Sequence, residues 1–288
     1  MTWDGKSRGT VTGYKIFLYL LKLGGSGSAY FVAFFIALYF FIVHTKASNA
    51  QVEYFHDRLG YGWFKARIHA IKNFHVFAKT ILDRMGILSE IFQGYTCTYD
   101  GRDRLEKDLG HDSGLLLIST HMGNFEIAGY FLDDFPADIN IVSIDQEVAG
   151  IKEYFESIST ETKLPNIIYL KEDGSHIFEM AAALRRKECV CVTGDRFVEG
   201  GKTLTATFLG KEAKFPSGPF EIAARLDVPV AFCSCMKGKG REYHFYGRII
   251  GGEGKTPQNI LEAYIRGLEE MIEKYPLQWF NFYKFWQL

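Results

Sequence analysis

Apolar and polar positions fall into three different rhythms along this chain. Residues 16–43, IFLYLLKLGGSGSAYFVAFFIALYFFIV, are almost continuously apolar, with GGSGS at 24–28 dividing a short run from a longer one. The uninterrupted stretch Ala29–Val43 is 15 residues, or 18 counted from Ser26. At helical rise these span roughly 22 and 27 Å, against about 30 Å of bilayer hydrocarbon. The pattern therefore fits a kinked or hairpin insertion as well as a straight crossing; a cleaved signal peptide and an aromatic core helix are the other readings of the same residues. The second rhythm is helical: Phe64, Ile68, Ile71, Phe74, Phe77, Ala78, Ile81 and Leu82 recur on one stripe of 63–85 and predict an amphipathic helix with a basic outer face.

The third rhythm begins near residue 95, where short β-rich runs alternate with helical ones. Strands are predicted at 114–120, 139–144, 166–170, 189–194, 205–210, 228–235 and 242–250. Helices are predicted at 124–133, 147–158, 174–186, 217–226 and 257–275. Such alternation implies an α/β fold with a mixed, mostly parallel sheet covered by helices. The organisation expected is a membrane-associated N-terminal segment at 1–50, an amphipathic helical region at 51–95, and an α/β domain at 96–288 that ends in an aromatic tail.

Composition sharpens this picture. Phe, Tyr and Trp number 25, 16 and 4, or 16% of 288 residues, a density that points to a greasy surface as well as a core. Formal charge is only −1, from 33 basic and 34 acidic side chains, which argues against a nucleic-acid partner. The hydrophobic share of 47% excludes global disorder. Cys189 and Cys191, and Cys233 and Cys235, form C-x-C pairs inside apolar runs. Strand geometry points both members of a pair to one face, so these four read as small buried hydrophobes rather than as metal ligands or disulfides.

In an α/β sheet, chemistry collects where strands end and helices begin. At such an edge, in LLLISTHMGNFEIAG, His121 and Glu126 form an H-x4-E pair. By count alone about one such pair is expected by chance. Five positions apart on a single helix the two would be turned about 140° from each other. With His121 on the turn and Glu126 in the first helical turn, they can meet. Glu126 would then hold the imidazole as a base, with no enzyme nucleophile beside it; a core histidine with a capping Glu is the other reading. VTGDR places Asp195 and Arg196 at the end of a second buried strand, FPSGP places Phe215, Ser217 and Gly218 before a helix, and VPV opens a third strand at Val228.

In this order the four blocks resemble the lysophospholipid acyltransferase superfamily: H-x4-D/E, a strand ending in Asp-Arg, F-P-x-G, and V-P-V. Within it, the match is closer to the bacterial lipid A biosynthesis acyltransferase branch and to acyltransferases associated with aryl-polyene and flexirubin-type pigments. HVFAKTILDR at 75–84 and the tail YPLQWFNFYKFW resemble that branch's end signatures, although Asn281, Tyr283 and Lys284 stand where many of its members have Trp, His and Arg.

The resemblance implies acyl transfer from an acyl carrier protein or coenzyme A thioester to a lipid hydroxyl or amine, without a cofactor or metal. His121 would be the general base oriented by Glu126. Asn124, Asp195, Arg196, Phe215, Ser217 and Gly218 would contact substrate. Gly123 and Gly218 would offer amides to the oxyanion. Arg196 would meet an anionic group, or else pair with a carboxylate such as Asp195. The runs Arg185, Arg186, Lys187 and Lys237, Lys239, Arg241 could dock an acidic carrier protein. The location implied is the bacterial inner membrane, with the catalytic domain facing the cytoplasm. A hydrolase using the same His–Glu pair, and a non-catalytic lipid-binding scaffold, are the competing functions; absence of a G-x-S-x-G elbow counts against a serine esterase.

Overall fold

The computed structural model describes residues 11–88, 94–109, 114–124, 127–128, 135–143, 166–171, 173–197, 200–226, 228–251 and 255–286. Helix α1 (Val11–Val43) breaks at Gly25, whose φ of 67° is open to a residue without Cβ. Beyond the break, the 20 residues Gly24–Val43 are long and apolar enough to cross a membrane. The small residues Ala29, Ala33 and Ala37 are buried, while Phe31, Phe35, Tyr39 and Ile42 on the outer side stay exposed.

The chain returns through α2 (Thr45–Glu53), a π-helical turn (Tyr54–Arg58) and α3 (Trp63–Leu88), which packs against α1. The buried face of α3 differs from the predicted stripe. Phe74 and Leu82 of that stripe are buried, but Phe64 and Ile68 are 77% and 53% exposed, and Ala66, Ala70, Asn73 and Asp83 are buried in addition. Small residues let α1 approach, and the polar ones have partners: Asn73 Nδ2 donates to the carbonyls of Leu277 and Trp279.

A seven-stranded sheet follows, in the order β1-β9-β8-β2-β5-β3-β4. Its strands are β1 (Thr96–Asp100), β2 (Leu115–Ser119), β3 (Ile139–Ser143), β4 (Asn166–Tyr169), β5 (Cys189–Thr193), β8 (Val230–Lys237) and β9 (Glu242–Ile249). β2 is parallel to both β5 and β8, and only the β8–β9 contact is antiparallel. The mixed, mostly parallel sheet is thus as expected, with two elements that the apolar rhythm does not announce. Edge strand β1 is largely exposed. The polar run Lys211–Pro216 forms β7, hydrogen-bonded to β6 (Thr203–Phe208) as a separate antiparallel hairpin. Helices α4 (Arg102–Leu109), α5 (His176–Arg185), α6 (Gly218–Arg225) and α7 (Pro257–Lys274) complete the described elements. The predicted helix at 147–158 lies outside the described residues, as does most of the one at 124–133.

Helix α7 buries Ile260, Leu261, Tyr264, Ile265, Leu268, Met271 and Ile272 on one stripe, and its N-cap Thr256 accepts a hydrogen bond from the Asn259 amide. The tail then folds back into the aromatic core, where the Trp279 ring meets those of Tyr54, Phe208, Phe285 and Trp286. Cys189, Cys233 and Cys235 are buried, and all five cysteines are thiols.

Candidate active site

Strand β2 is buried along its whole length, so its residues serve the core until the chain leaves the sheet at Thr120. The register pairs Ser119 with Thr193 on parallel neighbour β5. Two residues further along each chain stand His121 and Asp195. His121 Nδ1 lies 2.7 Å from Asp195 Oδ1, while Oδ2 accepts the His121 backbone amide and the Thr120 hydroxyl, each at 2.9 Å. An ionised carboxylate only accepts hydrogen bonds, so the imidazole proton sits on Nδ1. Burial alone would raise the Asp195 carboxyl, but His121, these hydrogen bonds and Arg196 more than offset it and hold it at about 2. Burial and the neighbouring Arg196 charge lower His121 from its ordinary 6.5, against the pull of Asp195. The result is a neutral imidazole beside a permanent carboxylate, able to receive a proton.

The turn after His121 is fixed by close backbone contact. Gly123 has a φ of +60°, and a Cβ there would come within 2.1 Å of the Cys235 carbonyl oxygen. Its own amide donates to the Gln278 carbonyl at 2.9 Å, and the Asn124 amide donates to Cys235 at 2.7 Å. The Gly123 amide expected to face an oxyanion is thus engaged by a protein carbonyl, as is its neighbour at Asn124. The Asn124 side chain is buried as well, donating to the Thr80 carbonyl at 2.9 Å and to the Tyr243 hydroxyl at 3.3 Å. Local spacing gives no sign of these partners, because they come from α3 and β8–β9.

The C-terminal tail walls the pair. The Phe280 amide donates to the His121 carbonyl at 3.1 Å, and Arg196 Nη2 donates to the Phe280 carbonyl at 2.8 Å. The Tyr283 hydroxyl donates to the Asp195 carbonyl at 3.2 Å. Tyr264 on α7 donates to the Ser119 carbonyl at 3.1 Å, and its ring packs against Phe215 and Phe220. The F-P-S-G block therefore reaches this region through an aromatic ring. Phe215 itself is fully buried, and Ser217, just before α6, donates its amide to the Lys202 carbonyl. Gly218 opens that helix, with open space where a Cβ would be.

The structure brings His121, Asp195 and Arg196 together. It puts Asp195, expected as a substrate contact, on the imidazole nitrogen expected to face Glu126; Glu126 lies outside the described residues. The signal for Asp195 was its place at the end of a buried strand, but that β5 neighbours β2 is a tertiary fact. Arg196, expected to meet a substrate anion or a carboxylate, donates to a tail carbonyl.

A second charged cluster sits below the turn. Asp83 on α3 is fully buried and accepts from Lys237 Nζ at 2.5 Å, from the Tyr243 hydroxyl at 2.5 Å and from Tyr95 at 2.9 Å, as well as from Tyr30 of α1. Lys237 is therefore withdrawn from the basic surface suggested for a carrier protein. In the other run, Arg186 is paired with Glu188 through Nε at 2.6 Å and Nη2 at 2.9 Å.

Residues 75–287 match the family model of the bacterial lipid A biosynthesis acyltransferases. The chain belongs to that family. It is accordingly an acyltransferase of lipid biosynthesis, and the family match spans the His121 turn, the Asp195–Arg196 strand end and the aromatic tail. Among solved structures, the 1-acyl-sn-glycerophosphate acyltransferase PlsC from Thermotoga maritima is similar at 14% identity, with a TM-score of 0.35, over 90% of this chain and 97% of that one. No curated protein matches the chain.

Proposed function

We infer that this family member moves a fatty acyl group from an acyl carrier protein or coenzyme A thioester to a hydroxyl or amine on a membrane lipid. The observation that carries the mechanism is the 2.7 Å contact between His121 Nδ1 and Asp195. With Nδ1 protonated and held, Nε2 takes the acceptor's proton as its oxygen or nitrogen attacks the thioester carbonyl. The imidazolium formed is stabilised by Asp195 and returns the proton to the departing thiolate. Base catalysis of this kind is typically worth about 10² to 10⁴ in rate. In this reading Asp195 takes the orienting part first expected of Glu126, and Arg196 keeps the imidazole neutral.

The exposed aromatic face of α1 supports membrane association, with the site at the cytoplasmic face of the inner membrane. The same face is compatible with a helix lying in the lipid surface, because its other side is packed on α3.

Comparing lipid extracts by mass spectrometry, with the gene deleted and then restored as wild type or as His121→Ala, tests the reading. A lipid that loses one acyl mass on deletion and regains it only with wild type supports transfer and identifies the acceptor. Rescue by His121→Ala would overturn it, and free fatty acid released without an acylated product would point to a hydrolase.

A further inference from the structure

At the end of α1, where it meets α2 and α3, lies a cavity of about 190 Å³ lined by Phe41, Ile42, Thr45, Ser48, Asn49 and Arg67. At roughly 30 Å³ per water it holds about six waters' worth of space, enough for a phosphodiester, and Ile42, Thr45, Asn49 and Arg67 of its lining are exposed. No carboxylate lines it, and none of the ion pairs among the described residues uses Arg67. Arg67 is exposed, and aromatic rings lie beside its guanidinium, with the Trp63 centroid at 4.9 Å and that of Phe41 at 5.6 Å. Ser48 spends its hydroxyl on the Phe41 and His44 carbonyls. Thr45 and Asn49, one turn apart on α2, present a hydroxyl and an amide on the same side.

This combination has the chemistry of a phosphate seat. A guanidinium beside aromatic rings offers its planar fork to two phosphate oxygens, and neighbouring neutral donors complete the shell. The surroundings specify the source of the phosphate. Ile42 and Val43 of α1 and Trp63, Phe64 and Ile68 of α3 are all exposed around this end, so an occupant anchored at Arg67 has apolar surface beside it. Trp at such a boundary is the side chain that favours a lipid–water interface. From here the Phe41 ring touches Phe74, Phe74 touches Phe282, and Phe282 stacks on Phe280, whose amide meets His121. That packed wall separates the cavity from the reacting pair.

We propose that the cavity binds the phosphate of an anionic membrane phospholipid and thereby fixes how the α1–α3 pair sits in the lipid surface. The site is separate from the acyl-transfer site, and the proposal rests on the membrane association inferred above. The test is co-sedimentation of the full chain with vesicles of phosphatidylcholine alone and of phosphatidylcholine mixed with phosphatidylglycerol, at equal ionic strength. Wild type should bind the mixed vesicles about tenfold more tightly, the worth of one good charged contact. Arg67→Gln should erase the preference, and Arg67→Lys should keep part of it, because an ammonium cannot bridge two oxygens. Lys72→Gln, an exposed cation turned about 140° away on α3, should retain it in full.

Equal losses from Arg67→Gln and Lys72→Gln would mean diffuse attraction and overturn the site. So would displacement of mixed vesicles by inorganic phosphate, which would assign the cavity to the free ion. Equal binding of wild type to both vesicles overturns the phosphate seat and leaves membrane association standing, whereas binding to neither overturns both.

Discussion

Two buried carboxylates in this protein each face a basic side chain, and they do opposite things with it. Asp195 is 2% exposed, and its partner His121 keeps 17% of its side chain exposed. Asp83 is sealed with Lys237, and three phenols fill its remaining acceptor sites. The first pair joins two strand ends, where an imidazole can exchange a proton. The second joins α1, α3, β8 and β9 with an ammonium whose Nζ also donates to the Gly240 carbonyl. Burial of a charge pair therefore does not mark a catalytic site. What separates the two is the basic partner, a partly exposed imidazole at one and a buried ammonium ringed by phenols at the other.

The comparison is easiest to break at Asp195. Asp195→Asn removes the charge that stabilises the imidazolium and permits the other tautomer, so kcat should fall by about 10² to 10⁴ with the circular dichroism spectrum intact. Glu126→Gln, assayed beside it, should cost no more. The reverse order would return the orienting role to Glu126.

Asp83→Asn should act on stability rather than on turnover. It leaves Lys237 buried without its counter-charge, a loss of about 3 to 5 kcal/mol measurable by denaturant unfolding. Rates per folded molecule should change less than for Asp195→Asn. Replacing the pair together, as Asp83→Leu with Lys237→Met, should recover part of that stability; a double variant as unstable as the sum of the singles would show that the phenols and not the ion pair hold the cluster.

A pH profile sharpens the same contrast. His121 must be neutral to accept a proton, and burial with Arg196 holds its pKa below 6.5. Activity should therefore persist as pH falls through 6.5 and be lost on protonation below that point. Arg196→Ala removes a lowering charge, so the acid limb should move to higher pH; an unmoved limb would mean that a different group controls it. The smallest effect is expected of Tyr283→Phe, which removes a single hydrogen bond to the Asp195 carbonyl and should cost about 1 kcal/mol of stability, read by thermal melting.

By itself the sequence determined the periodic features: the apolar first helix, the α7 stripe, and the buried strands that run out just before Thr120 and Asp195. These follow from local spacing, because one helix face or one strand run decides its own burial. His121 and Arg196 were legible for the same reason, as polar residues just past an apolar strand. β1 and β7 were not, since an edge strand and a polar hairpin are held by their neighbours' hydrogen bonds and carry little apolar alternation of their own. Nor was the buried face of α3, where Asp83 and Asn73 lie inside because distant groups satisfy them. The partner of His121 was likewise a tertiary decision. Strand order sets β5 beside β2, and a carboxylate 74 residues away in the chain then lies closer to the imidazole than any spacing rule could indicate.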